Sequence, residues 1–161
     1  MDEFDEQGNE MINQYMKVYL AQTDSAIKVS KIITEHSKDK ILDGDKIICG
    51  LVYRLMVPMT QDEMNDSLNQ AEELLNPEDS EEEDELEEEE GEHYLEDNDF
   101  EELESLEKKE HKIVSNTCNC DICMKVRVCL LNYHTHECND PLAQRFKNAI
   151  EHTCQEHLVI I

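Results

Sequence analysis

The chain has 161 residues and a mass of 18.8 kDa, with 14 Lys and Arg against 40 Asp and Glu, a formal net charge of -26. Only 39% of residues are apolar and there is no tryptophan, so a sizeable core requires that the charge be segregated from the apolar residues. The average field repels nucleic acid and anionic membranes. No apolar run approaches the roughly 20 residues that span a bilayer, and the longest, Ile47 to Val57, is broken by Cys49-Gly50 and Arg54.

The first residues, Met1-Asp2-Glu3-Phe4-Asp5-Glu6, are acidic where a secretory signal needs a basic start and an apolar stretch, which predicts a soluble, intracellular protein. Residues 1–75 carry 7 basic and 15 acidic side chains and show helical spacing. Met11, Tyr15 and Tyr19 recur every four residues, and Ala26, Val29, Ile32 and Ile33 follow after Thr23-Asp24-Ser25. That polar triplet either caps a second helix or crosses the exposed face of one long helix. His36 stands at a helix end, where its partial charge can meet the terminal carbonyls. After a connection that includes Asp43-Gly44-Asp45, a helix is predicted from Asp45 to Val57, with Ile47, Ile48, Leu51, Val52, Leu55 and Met56 on its apolar side. Cys49 among them reads as a buried small hydrophobe, and Pro58 ends the helix. Thr60-Gln-Asp-Glu63 has the form of a capping box, followed by Met64, Leu68, Ala71 and Leu75 on one face. The expectation is a small helical bundle.

Residues 76–107 hold 19 acidic side chains and no Lys or Arg, nearly three quarters of the net charge. Such a block cannot bury enough apolar area to offset chain entropy, so it is expected to be a disordered, extended linker and solubilising spacer. Its last part, Phe100 to Leu106, can form a helical turn or two.

Residues 108–161 return to near neutrality and hold six of the seven cysteines and five of the seven histidines. In a reducing compartment such a concentration points to metal before disulfides. Cys120 and Cys123 form a Cys-x-x-Cys turn that can aim two thiolates at one tetrahedral zinc, and Cys118 offers a third thiol. Asp140-Pro141 marks a helix start. The stripe Leu142, Phe146, Ala149, Ile150 and Thr153 then brings Cys154 and His157 towards the inner face, with His152 pointing away. The expected structural zinc site is therefore Cys120, Cys123, Cys154 and His157, with Cys118, His134, His136 and Cys138 as alternates. Met124 to Tyr133 reads as a helix or a strand, the helix being favoured, and Leu158 to Ile161 is expected to pack back or add a short strand.

The run Cys-x-Cys-Asp-Ile-Cys, followed by Asp-Pro-Leu-Ala-Gln-Arg-Phe and His-Thr-Cys-x-x-His, resembles small uncharacterised Cys/His-rich proteins of amoeba-infecting giant DNA viruses, over residues 115–160. The resemblance implies a viral protein made in host cytoplasm and carries no activity or ligand assignment.

The fold class expected is mainly α: a helical bundle at 1–75, an acidic linker at 76–107 and a Cys/His module, α or α+β, at 108–161. A closed four-ligand zinc favours a non-enzymatic adaptor that binds other proteins. The alternative is a nucleic-acid-associated module using Lys108, Lys109, Lys112, Lys125, Arg127, Arg145 and Lys147, for which the acidic linker would compete; its net charge of +1 argues against tight binding. An enzyme is not expected. His136 and Glu137 are adjacent and follow the first Cys-x-x-Cys, unlike a deaminase site, and neither His-Glu-x-x-His nor a Gly-rich phosphate loop is present.

Overall fold

The computed structural model describes residues 3–77 and 109–161, so the expected acidic linker lies outside the described residues except for Asn76 and Pro77. Helix α1 runs from Glu3 to Glu35, about 50 Å at 1.5 Å per residue. Thr23-Asp24-Ser25 does not interrupt it. Ser25 is buried, while Asp24 pairs with Lys28 at 2.9 Å and accepts a hydrogen bond from the hydroxyl of Ser67 at 3.0 Å. The triplet thus crosses from the core side to the side that meets α3, Gln61–Leu75. The capping box before α3 is present, Thr60 and Glu63 each accepting the other's backbone N–H.

Helix α2, Gly44–Met56, is capped by the side chain of Asp43, which accepts from the N–H of Lys46 at 2.9 Å, and it stops before Pro58. Its buried face is Ile48, Cys49, Val52, Tyr53 and Arg54, rotated from the expected stripe, and Ile47 stays exposed. The rotation follows from a close approach to α1. Gly50 lies against Ala26 and Ser30, and any Cβ there would overlap the Ser30 hydroxyl and the Ala26 carbonyl oxygen. Ser30 directs its hydroxyl back to that carbonyl at 2.9 Å, which leaves a flat surface for α2. Gln22 then donates to the Arg54 carbonyl at 3.1 Å, and the Arg54 guanidinium reaches Glu63 at 3.4 Å, so the end of α2 is held by both neighbouring helices.

After the acidic block come β1, His111–Lys112; α4, Asp121–Asn132; a 3-10 turn, Tyr133–Thr135; α5, Pro141–Glu156; and β2, Val159–Ile160. The ambiguous stretch after Met124 is a helix, burying Val126 and Cys129 and exposing Val128. Asp140 caps α5 by accepting from the N–H of Ala143 at 2.8 Å, with Pro141 in the first turn. The tail forms β2, which pairs in parallel with β1 in the register His111 to Val159 and Lys112 to Ile160. Leu158, with φ of 55°, turns the chain out of α5 into that strand.

The architecture is mainly α, and the two ends of the chain share one core. Val29 and Ile33 of α1, Val52 and Tyr53 of α2, Val126 and Cys129 of α4, and Phe146, Ile150 and Cys154 of α5 belong to a single buried cluster. Cys49 sits in it as expected, and burial pushes its thiol up to about 12. The Met11 and Tyr15 positions do not: together with Ile12, Met16 and Val18 they remain exposed, because α3 covers a different side of α1. No helix among the described residues is long and apolar enough to cross a membrane.

Two outcomes follow from this packing. Gly50→Ala forces α2 away from α1 and should cost about 1–3 kcal/mol, read as a lower urea midpoint. His111 pairs with Asp45 at 2.8 Å, and that carboxylate raises the imidazole pKa above its ordinary 6.5. The stabilising contribution is therefore complete below pH 6.5 and fades as the pH rises through the raised value. An NMR titration should show the raised midpoint, and Asp45→Asn should return it to the ordinary range.

Candidate metal centre

The last turn of α1 is closed by the Ser37 hydroxyl, which donates to the Thr34 carbonyl at 2.7 Å, while the N–H of His36 bonds back to the Ile32 carbonyl at 3.2 Å. The His36 ring therefore leaves the helix at a defined angle and lies exposed at its end. Opposite it, the segment 116–120 is fastened from two directions. Asn116 donates to the Ile33 carbonyl of α1 at 2.6 Å, satisfying one of the carbonyls that a helix end leaves free. Arg127 of α4 donates to the carbonyls of Asn116 and Cys118 at 2.6 and 2.7 Å.

Cys120 is the N-cap of α4, and its sulfur accepts the N–H of Cys123 at 3.4 Å. The N–H of Cys120 in turn points at the Cys118 sulfur at 3.4 Å. These contacts bring three sulfurs to one imidazole. The His36 Nδ1 lies 3.0 Å from the Cys120 Sγ, 3.6 Å from that of Cys118 and 3.7 Å from that of Cys123, and all four donor atoms lie within 4.8 Å of one another. Ligands on a tetrahedral zinc would stand about 3.5 Å apart from nitrogen to sulfur and about 3.8 Å from sulfur to sulfur. The four donors are close enough together to hold a metal ion, with the His36 to Cys120 separation about 0.5 Å shorter than a tetrahedral zinc would set.

The thiols are unequal. The backbone N–H of Cys123 is the main reason that the Cys120 thiol is lowered to about 6, and the side chains of Cys123, Cys118 and His36 add to it. Burial pushes the Cys123 thiol up to about 11, with the Cys120 sulfur contributing. A cation that binds here releases the remaining thiol protons, so affinity falls as the pH falls.

Of the residues expected at the site, Cys120, Cys123 and the alternate Cys118 come together; Cys154 and His157 are not with them. Cys154 continues the Phe146 and Ile150 stripe into the core, where burial raises its thiol pKa. His157 is the C-cap of α5, with φ of -101° and ψ of 6°, so the helical extrapolation ends at Glu156 and the ring is exposed. His134 bonds the Ile161 carbonyl at 3.1 Å and stands edge-on to Tyr133. The His136 carbonyl accepts from Lys147 at 2.8 Å, and His136 and Cys138 are half-buried away from the cluster. His152 points to solvent as expected, near Glu156. The missed donor is His36, 84 residues from Cys120. Its one signal in the sequence was local, a histidine at the end of a helix.

Comparison of the chain with protein-family models, with curated proteins and with solved structures finds no match. In metal-free, reduced protein, thiolate absorbance should rise with a first midpoint near the Cys120 value of about 6, and Cys120→Ser should remove that step.

Proposed function

We propose that this chain is a non-enzymatic interaction protein, an adaptor, whose fold is stapled by a structural zinc ion on His36, Cys118, Cys120 and Cys123. The observation that carries the reading is the convergence of one imidazole and three sulfurs from the two described segments, more than 80 residues apart in sequence. Three thiolates and an imidazole suit zinc over harder cations. Four protein donors fill a tetrahedron and leave no position for a reacting water, which favours a structural role. Protein binding is supported by the exposed side of α1, where Met11, Ile12, Tyr15, Met16 and Val18 are uncovered and lead to a groove lined by Leu55, Leu142 and Phe146.

The nucleic-acid reading loses support from the placement of its cations. Arg127 is engaged by the metal loop, Lys147 is buried, and Lys125 pairs with Asp121 at 2.9 Å. Thiolate ligands require a reducing compartment, and host cytoplasm, which the viral resemblance implies, meets that requirement.

The test is metal content of the full chain purified under reducing conditions, with circular dichroism before and after chelation. One zinc per chain is expected, with loss of helix on removal. His36→Ala and Cys120→Ser should abolish tight binding, while His157→Ala and Cys154→Ala retain it. Absence of bound zinc, or retention in the His36 and Cys120 variants, overturns the proposal.

A further inference from the structure

Helix α1 is covered on one side only along its first half. By helical spacing Glu10, Gln14, Lys17 and Ala21 share the side that meets α3. Ala21 is buried, Lys17 pairs with Glu72 at 2.9 Å, and Glu10 and Gln14 line a hollow with Leu75. The opposite side carries Gly8, Met11, Ile12, Tyr15, Val18 and Tyr19, with Met16 at its edge. Met11, Ile12, Tyr15, Met16 and Val18 are 43–57% exposed. Val18 and Tyr19 continue into a groove of about 200 Å³ against Leu55, Leu142 and Phe146, so the apolar face and the groove form one surface.

Charge, size and shape each bear on what covers this surface. Charged residues make up 34% of the chain, yet Glu10 and Lys17 are the only ones between Gln7 and Thr23, and both lie on the α3 side. The face is therefore neutral. It offers no counter-charge to a strongly basic or acidic partner, and it brings no like charges together when it meets its own copy. Half-exposed side chains of these types present on the order of 100 Å² each, so five give about 500 Å² and a two-fold pair buries about 1,000 Å², the lower end of specific interfaces. Antiparallel about an axis between Asn13 and Gln14, Ile12 of one copy meets Tyr15 of the other, and Met11 meets Met16. In the same register Tyr19 meets Gly8, where a Cβ would touch nothing within 4 Å, so the ring has room. A parallel pair would instead set the acidic helix starts, with Asp5 and Glu6, side by side.

We propose that α1 forms the interface of a homodimer, the Met11 to Tyr19 faces of two copies packing antiparallel across a two-fold axis. Each copy presents the same patch to the other, as a closed two-fold contact requires. The inference rests on the interaction-protein reading and names a second copy as the occupant of that face.

The test is sedimentation equilibrium of the full-length, zinc-loaded protein over about 1–200 μM. A reversible monomer–dimer equilibrium with a Kd in the micromolar range is expected from an interface of this size. Ile12→Lys and Tyr15→Glu each place a charge on the apolar seam at an exposed position, and each alone should weaken dimerisation about tenfold or more. An equimolar mixture of the two variants should associate again, because the antiparallel register sets the two new charges against one another. Leu131→Asp, on the exposed side of α4, should leave the equilibrium unchanged. A monomer at every concentration overturns the proposal and leaves the face to a different protein. A dimer that survives both variants, or variants that do not recover on mixing, overturns it as well. Zinc content and circular dichroism of the same samples show separately whether the metal staple has failed.

Discussion

Helix α2 is buried from two sides, and the arrangement of everything else depends on that constraint. Gly50 lets it lie directly on Ala26 and Ser30 of α1. The neighbouring Val52 and Tyr53 then share a cluster with residues of α4 and α5. Both segments of the chain contribute buried residues to that one cluster. Placing one helix between them gives each end a second apolar surface. The start of the same helix holds Asp45, which pairs with His111 of β1 at 2.8 Å and so ties the strand pair to α2.

How far this was legible in the sequence depended on the range of each interaction. Caps were legible because they are complete within four residues: Thr60 with Glu63, Asp140 with Ala143, and the Cys120 to Cys123 turn are each visible in a short window. The helical period at Met11, Tyr15 and Tyr19 was also real. Periodicity reports a face and not what covers it, and α3 lies elsewhere, so Met11 and Tyr15 are exposed while Tyr19 is partly covered. The rotation of α2 was hidden in a pair of small residues on another helix. Cys154 had the period of a core residue and is one; reading it as a ligand required His157 to continue a helix that ends at Glu156. His36 was out of reach for the opposite reason, since its partners lie more than 80 residues away.

The cluster of His36, Cys118, Cys120 and Cys123 sits beside the core and not within it. Cys123 is buried against the packed helices, Cys118 and Cys120 are half-buried, and His36 is exposed, so the donors run from the interior to the surface. An ion held there would join the end of α1 to the beginning of α4 and close a loop of about 80 residues, a constraint felt mainly by the unfolded chain. Arg127 and Asn116 already hold the loop in place through carbonyls of residues 33, 116 and 118. The sulfurs are therefore set by polar contacts that do not involve the ion, which lowers the ordering cost of binding.

The single buried cluster shared by residues 3–77 and 109–161 means that chain connectivity is not all that joins them. The acidic block joins α3 to β1 in sequence, and the described residues before and after it meet in one buried cluster and at the His36, Cys118, Cys120 and Cys123 donors. Hydrolysis of one peptide bond within that block would yield two fragments, the second spanning β1 to β2, and each would keep its partner's apolar surface. Such a nicked protein would behave as a non-covalent heterodimer of its own halves, separable only when the shared core is unfolded.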